Sequence, residues 1–195
     1  MSDIDATITA PALPLDPTVQ RLFDARLIII SGEITQAVSE RVTAQLLALS
    51  VASDTEPITV YINSQGGHVE AGDTIHDMVR YVAPPVRMVG TGWVASAGAL
   101  IYVAAPRKLR YCLPNTRFLL HQPAGGMGGT ASDIAIEARE IVKMRERLNR
   151  IFARETGQTI ERIEDDTTRN FWLDAEQARE YGLVGKIISR QAELD

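Results

Sequence analysis

The chain has 195 residues, of which 45% are hydrophobic, 23% charged and 6% aromatic. That length supports one domain with a sizeable core, and the composition excludes a disordered or collagen-like chain. With 20 basic and 25 acidic side chains the net charge is −5, and no basic tract is present, so nucleic acid is not expected as a partner.

The one cysteine, Cys112, cannot form an intrachain disulfide or by itself make a zinc site, which suits a reducing compartment. No metal and no cofactor is expected. The first basic residue is Arg21, preceded by Asp3, Asp5 and Asp16. Neither a secretory signal nor an Arg-rich transit peptide is expected, and the chain reads as cytoplasmic. Its most apolar stretch, Gly92 to Pro106, runs for about 15 residues against the roughly 20 a membrane span needs.

Met1 to Thr18 carries Pro11, Pro14 and Pro17 without an apolar period and reads as a mobile arm. Leu27 to Ile30, bounded by Ser31-Gly32, reads as a strand buried on both faces. Val38, Val42, Leu46 and Leu49 recur at helical spacing. A polar turn, Ser53 to Pro57, leads to a second strand, Ile58 to Ile62. Ala71, Ile75, Met78, Val79 and Val82 mark a second helix, halted by Pro84-Pro85. Val86 to Val89 is a third strand. Such alternation predicts an α/β fold of right-handed βαβ units around a mostly parallel sheet.

The second half begins with a buried apolar helix over Ala97 to Ala105. Two short strands, Arg110 to Leu113 and Arg117 to His121, flank Pro114-Asn115. After the glycine-rich Gly125 to Gly129, a long helix starts near Ser132, with Ile134, Ile141, Met144, Leu148, Ile151 and Phe152 on one stripe, and ends at Gly157. The stripe is narrow and the other faces are charged, so this helix packs on one side. A last helix over Asp174 to Tyr181 has Asp174 and Gln177 spaced as a capping box and Gly182 as its stop.

Three segments could carry chemistry. Asn63-Ser64-Gln65-Gly66-Gly67 follows a strand, and its glycines allow a sharp turn that exposes N–H groups to an anion or oxyanion; an ordinary turn is the competing reading. Ser96 lies where a strand hands over to an apolar helix, among Ala95, Ala97, Gly98 and Ala99. Those small neighbours let a substrate backbone reach its hydroxyl, although a buried or capping serine has the same pattern. His121 ends a strand just before the glycine-rich loop, where either a general base or a hydrogen-bonded rim histidine fits. His68 and His76 read as loop and helix-surface residues, and Phe171 and Trp172 as core. No phosphate-binding glycine motif is present.

Taken together and in order, these residues are recognisable. Tyr61-Ile62-Asn63-Ser64 with Gly66-Gly67, Ala95-Ser96-Ala97-Gly98-Ala99, Leu113-Pro114-Asn115-Thr116-Arg117 and His121-Gln122-Pro123 closely resemble the Clp protease proteolytic subunit family. Ile136 to Ile141 and Tyr181 to Val184 match it too, and the register holds from about Arg21 to Ser189. The resemblance implies the ClpP/crotonase fold and a serine peptidase. In it Ser96 is the nucleophile and His121 its base, with oxyanion donors from the backbone N–H groups of Gly67 and Ala97. It implies a single peptidase domain over residues 19–195, a protruding strand-helix handle over about 123–156, and residues 1–18 as an axial arm. It also implies two stacked heptameric rings, homomeric or mixed, and an AAA+ unfoldase of ClpX, ClpA or ClpC type that feeds unfolded polypeptides.

The departures from the family are as informative. Register from His121 through Thr156-Gly157-Gln158 puts the triad aspartate position at Asn170. Thr168 stands where an acidic residue usually helps ring-to-ring contact, Gln65 where proline is usual, and Trp93 where a smaller or polar residue is usual. An amide can orient the imidazole but cannot stabilise the imidazolium by charge. In trypsin-like peptidases the corresponding exchange costs about 10⁴ in kcat, or roughly 5–6 kcal/mol. Two further readings therefore accompany that of an active endopeptidase. One is a weakly active or structural ring paralogue that gates an active partner; the other, more remote, is a crotonase-type acyl-CoA enzyme, which would use the oxyanion turns without a Ser96–His121 pair.

Overall fold

The computed structural model describes residues 16–123 and 128–194. Residues 1–15 of the expected arm and residues 124–127 of the glycine-rich segment lie outside them. Pro17 and Thr18, read as arm, instead open helix α1 (Pro17–Asp24), whose N-cap Asp16 accepts from the Thr18 N–H. Proline at a first helical position loses no hydrogen bond, since that N–H has no intrahelical acceptor.

Strand β1 (Leu27–Ile34), helix α2 (Gln36–Ala52), strand β2 (Ile58–Gly67), helix α3 (Val69–Tyr81) and strand β3 (Val86–Ala95) follow in alternation. β1, β2 and β3 are parallel neighbours, as the βαβ pattern predicts. Short helix α4 (Ala97–Tyr102) and strands β4 (Arg110–Cys112) and β5 (Arg117–Leu120) come next. The chain closes with α5 (Ala131–Thr156), α6 (Ile160–Thr167), β6 (Phe171–Leu173), α7 (Ala175–Tyr181) and β7 (Lys186–Ile187). The main sheet runs β1-β2-β3-β4-β7, with β5 on β3 and β6 antiparallel on β5.

β1 is not buried on both faces. Ile28 and Ile30 are sealed in the core while Ile29 between them is 48% exposed. β1 ends the strand order, so the core reaches it on one face. On the other, Ile29 pairs across the sheet with Tyr61, Tyr61 with Val89, and Val89 with Tyr111.

The glycine-bearing segments are strand continuations rather than turns. The β1–β2 register shifts after Ser31, where Ser64 and Gln65 of β2 oppose Gly32. The β2–β3 register shifts after Ile62, where Thr91 to Trp93 of β3 oppose Asn63. The bulges thus lie in β2 and β3, and the strands run on to Ile34 and Gly67. β3 uses its extra length to change partners. Its first half pairs with β4 through Met88, Val89 and Gly90, and its second with β5 through Trp93, Val94 and Ala95. The bend falls at Gly92, whose φ of +60° a side chain would strain. The Gly90 carbonyl accepts from both Leu113 N–H and Thr116 Oγ1 and holds the connecting loop in place.

The long helix forms as its pattern predicts. Thr130 and Asp133 make a capping box at its start, and Gly157 stops it. Only its C-terminal part is sealed, with Leu148 and Phe152 in the core while Ile134, Ile136 and Val142 stay between 44% and 48% exposed. Arg147 pairs with Asp73 of α3 at 2.6 Å, and Arg80 of α3 reaches Glu155 at 3.2 Å. Arg110, fully buried, donates through Nη2 to the Glu155 carbonyl at 2.6 Å. The capping box of α7 (Asp174, Gln177) and its stop at Gly182 are also as expected.

Candidate active site

Ser96 sits between the end of β3 and the first turn of α4, with φ 54° and ψ −122°. A non-glycine residue there carries strain of order 1–3 kcal/mol, a cost that persists only where the surroundings dictate the conformation. Two backbone bonds fix it: Ser96 N–H donates to the Leu119 carbonyl at 3.0 Å, and Leu100 N–H donates to the Ser96 carbonyl at 3.1 Å. Its side chain makes no capping hydrogen bond and is only half-buried. Ser96 is thus neither a capping nor a fully buried serine.

The small residues around it follow from close packing. A Cβ on Gly66 would lie 2.6 Å from Ser96 Cβ, 2.9 Å from the Ala95 carbonyl oxygen and 3.1 Å from Ala97 N. One on Gly72 would meet Ala97 Cβ at 3.1 Å, and one on Gly98 would meet Ser64 Cβ at 3.2 Å. The end of β2, the start of α3 and the start of α4 therefore meet backbone to backbone around the serine. Gly67 closes β2 opposite Ile34 of β1, and Ala97 opens α4.

Sequence reasoning did not single out Ser64, which ties these strands together. Fully buried, it donates from Oγ to the Gly32 carbonyl at 2.6 Å and accepts from Gly66 N–H at 3.0 Å. A serine beside an asparagine in a strand gives no periodic signal of such a role.

His121 follows the last residue of β5 and is half-buried. It shares one cleft with Ser96, walled by Val69, Leu100, Leu120, Leu148 and Phe152. No hydrogen bond joins Ser96 to His121, or His121 to Asn170, among the described residues. Catalytic hydrogen bonds are often loose before substrate binds.

Asn170 is exposed and stands just before β6. In the antiparallel β5–β6 ladder, Phe118 pairs with Leu173, Leu119 with Trp172 and Leu120 with Phe171. His121 and Asn170 are the residues that follow and precede the last pair of that ladder, so the two strands bring them to the same end of it. Asp166 and Asp174, each four residues from Asn170, are committed elsewhere. Asp166 accepts from Arg162 Nε at 2.6 Å and Tyr181 Oη at 2.9 Å, while Asp174 caps α7 by accepting from Gln177 N–H at 2.8 Å. Burial, and then the bond to Asp166, holds the Tyr181 phenol well above its ordinary pKa.

Two sequence expectations, for His76 and Trp172, need correction, while His68 is a loop residue as expected. His76 is not a surface residue: it is 3% exposed in α3, with Nδ1 2.9 Å from Asp77 Oδ1. Helical periodicity alone cannot separate a buried polar position from an exposed one. His68 caps α3, its Nδ1 accepting from Ala71 N–H at 3.4 Å. Trp172 is not core: its ring lies parallel to that of the exposed Trp93, with centroids 6.2 Å apart, and Arg117 Cζ sits 4.3 Å from its centroid. β6 is added at the edge of β5, so its outward side chains stack on the neighbouring strands' rather than entering the core. Phe171 is partly buried, packed against the core and 5.3 Å from the Tyr181 ring.

The profile of the Clp protease family matches residues 15–191. The chain belongs to the Clp protease family. It is 58% identical over 195 residues to the ATP-dependent Clp protease proteolytic subunit 3 of Rhizobium etli, covering 100% of both chains. ClpP1 from Listeria monocytogenes superposes with a TM-score of 0.83 at 52% identity, covering 91% of this chain and 99% of that one. An asparagine-to-aspartate mutant of the same ClpP1 superposes with a TM-score of 0.85 at 53% identity and the same coverage. The fold is thus that of ClpP, and family membership makes the chain a Clp-type protease subunit. Among the described residues no helix is long and apolar enough to cross a membrane.

Proposed function

We propose that this chain is a self-compartmentalised serine endopeptidase subunit that cuts unfolded polypeptides to small peptides inside two stacked heptameric rings. An AAA+ unfoldase of ClpX, ClpA or ClpC type would supply the substrate. The observation that carries this reading is Ser96, held at positive φ on the strand-to-helix junction, its hydroxyl uncommitted, on the cleft that His121 lines.

Ser96 Oγ attacks the scissile carbonyl while His121 takes its proton. The tetrahedral oxyanion accepts from the backbone N–H groups of Gly67 and Ala97. His121 then returns the proton to the leaving amine, and a water deprotonated by the same imidazole cleaves the acyl-enzyme. Asn170 orients the ring but adds no negative charge, so its contribution falls well below that of a carboxylate. The apolar walls of the cleft suit an apolar side chain next to the scissile bond.

Assembly has its own support. Ile134, 46% exposed, and the half-buried Ile141 lie one above the other and leave apolar surface on an otherwise charged helix, and an exposed apolar stripe on a monomer is disfavoured. In this reading α5, with the segment before it, is the handle on which rings stack. The chain from residue 19 onward would form one peptidase domain.

A second reading, a structural subunit that gates an active partner, is favoured by two observations: Asn170 carries no charge, and Ser96 and His121 are not hydrogen-bonded. Native mass spectrometry combined with fluorophosphonate labelling separates the two. A ring-sized species modified at Ser96 supports the peptidase, whereas complete rings that never react point to the scaffold.

A further inference from the structure

Gln122, next to His121, bonds twice to the segment that carries Asn170. Its backbone N–H donates to the Thr167 carbonyl at 2.9 Å, and its Nε2 donates to the Thr168 carbonyl at 3.1 Å. The β5–β6 ladder stops at Leu120 and Phe171, one step short of the pair that matters. Beyond it, these two bonds hold the chain after β5 against the end of α6.

The far side of that segment is itself anchored. Thr167 Oγ1 donates to the Ile163 carbonyl at 2.7 Å, and Thr168 Oγ1 donates to the Glu164 carbonyl at 2.8 Å. Thr167 is 3% exposed. Gln122 therefore grips a fixed point, from which Asn170 is two residues away. Any residue but proline would make the backbone bond. The side-chain bond needs an amide donor of this reach.

We infer that Gln122 is a positioning residue of the reaction: its side-chain amide fixes the Thr168–Asn170 segment relative to His121 and so sets the geometry in which Asn170 meets the imidazole. This rests on the Ser96–His121–Asn170 reading proposed above. Gln122 itself touches neither substrate nor the reacting atoms.

The test uses the assembled full-length chain and two isosteric variants. Gln122→Glu replaces the donor with an acceptor that faces a carbonyl, and Gln122→Met removes the donor without adding charge. Both keep the backbone bond. Turnover of a short fluorogenic peptide and the rate of Ser96 modification by a fluorophosphonate should each fall about 10- to 100-fold, the scale of a displacement near 1 Å. KM should stay within about twofold. The discriminating measurement is coupling: in an Asn170→Ala background either Gln122 variant should cost less than about threefold more, because residues that act through one another are not additive.

Wild-type rates in both Gln122 variants would overturn the inference. So would equal losses in the Asn170 and Asn170→Ala backgrounds, which mark a general structural role. Both outcomes leave the triad reading standing, because Ser96 still reacts. A wild-type chain whose Ser96 never reacts overturns that reading and this inference with it.

Discussion

Gly66 lies so close to Ser96 that a methyl group on it would stand 2.6 Å from the serine's Cβ. Both residues have positive φ, 94° and 54°, which glycine adopts freely and which strains the serine. Gly66→Ala must therefore push Ser96 and the start of α4 away, or twist β2 out of its bulge. The expected cost is about 2–4 kcal/mol of stability, combining overpacking with a strained φ, and loss of peptidase activity. Differential scanning calorimetry and peptide turnover would show both.

Labelling identifies the nucleophile. A fluorophosphonate should modify Ser96 and no other serine, and Ser96→Ala should remove all labelling, as mass spectrometry of the digested chain would show. Modification that survives Ser96→Ala would place the nucleophile elsewhere. A CoA thioester turnover indifferent to Ser96→Ala would point to acyl-CoA chemistry.

Assembly depends on α5. Ile141, half-buried between the exposed Ile134 and the core residue Leu148, lies on the stripe expected to meet another ring. Ile141→Asp puts an unpaired charge into that contact and should split a double ring into single rings. Sedimentation velocity reads this directly. A wild type that sediments only as a 21.4 kDa species at micromolar concentration contradicts the stacking.

Stability should fall in alkali through Cys112. Burial pushes its thiol up to about 12, whereas an unfolded thiol ionises near 8.5. The folded pKa is the raised one, so the contribution is complete below about pH 8.5 and fades as pH climbs towards 12. By pH 10 the loss amounts to about 2 kcal/mol, at 1.36 kcal/mol per unit above about pH 8.5. Cys112→Ala should make Tm less sensitive to pH between 8 and 10. An unchanged slope would mean that the thiol ionises freely in the fold.

The elements with strong local signals were legible in the sequence: the stripe from Val38 to Leu49, the Asp174–Gln177 capping box and the stops at Gly157 and Gly182. Ser96 and His121 were legible because each ends a strand beside small or glycine-rich chain. What was missed is non-local. The bulges in β2 opposite Gly32 and in β3 opposite Asn63 depend on register between strands. The partner change in β3 depends on the Gly90 carbonyl holding a distant loop. α6 lacks a long apolar period, and β6, only three residues long, exists because it pairs with β5. Gln122 and Ser64 act through hydrogen bonds to residues more than 30 positions away, which no local pattern encodes.

Asn170→Asp tests the central claim, that Ser96, His121 and Asn170 work as one unit. Measured as turnover of a short fluorogenic peptide by the assembled chain, without an unfoldase, the substitution should raise activity by as much as about 10²–10⁴. The gain should vanish in an Asn170→Asp, Ser96→Ala double mutant. No change on Asn170→Asp, in a chain that forms complete rings, would contradict the account and leave the structural subunit in its place.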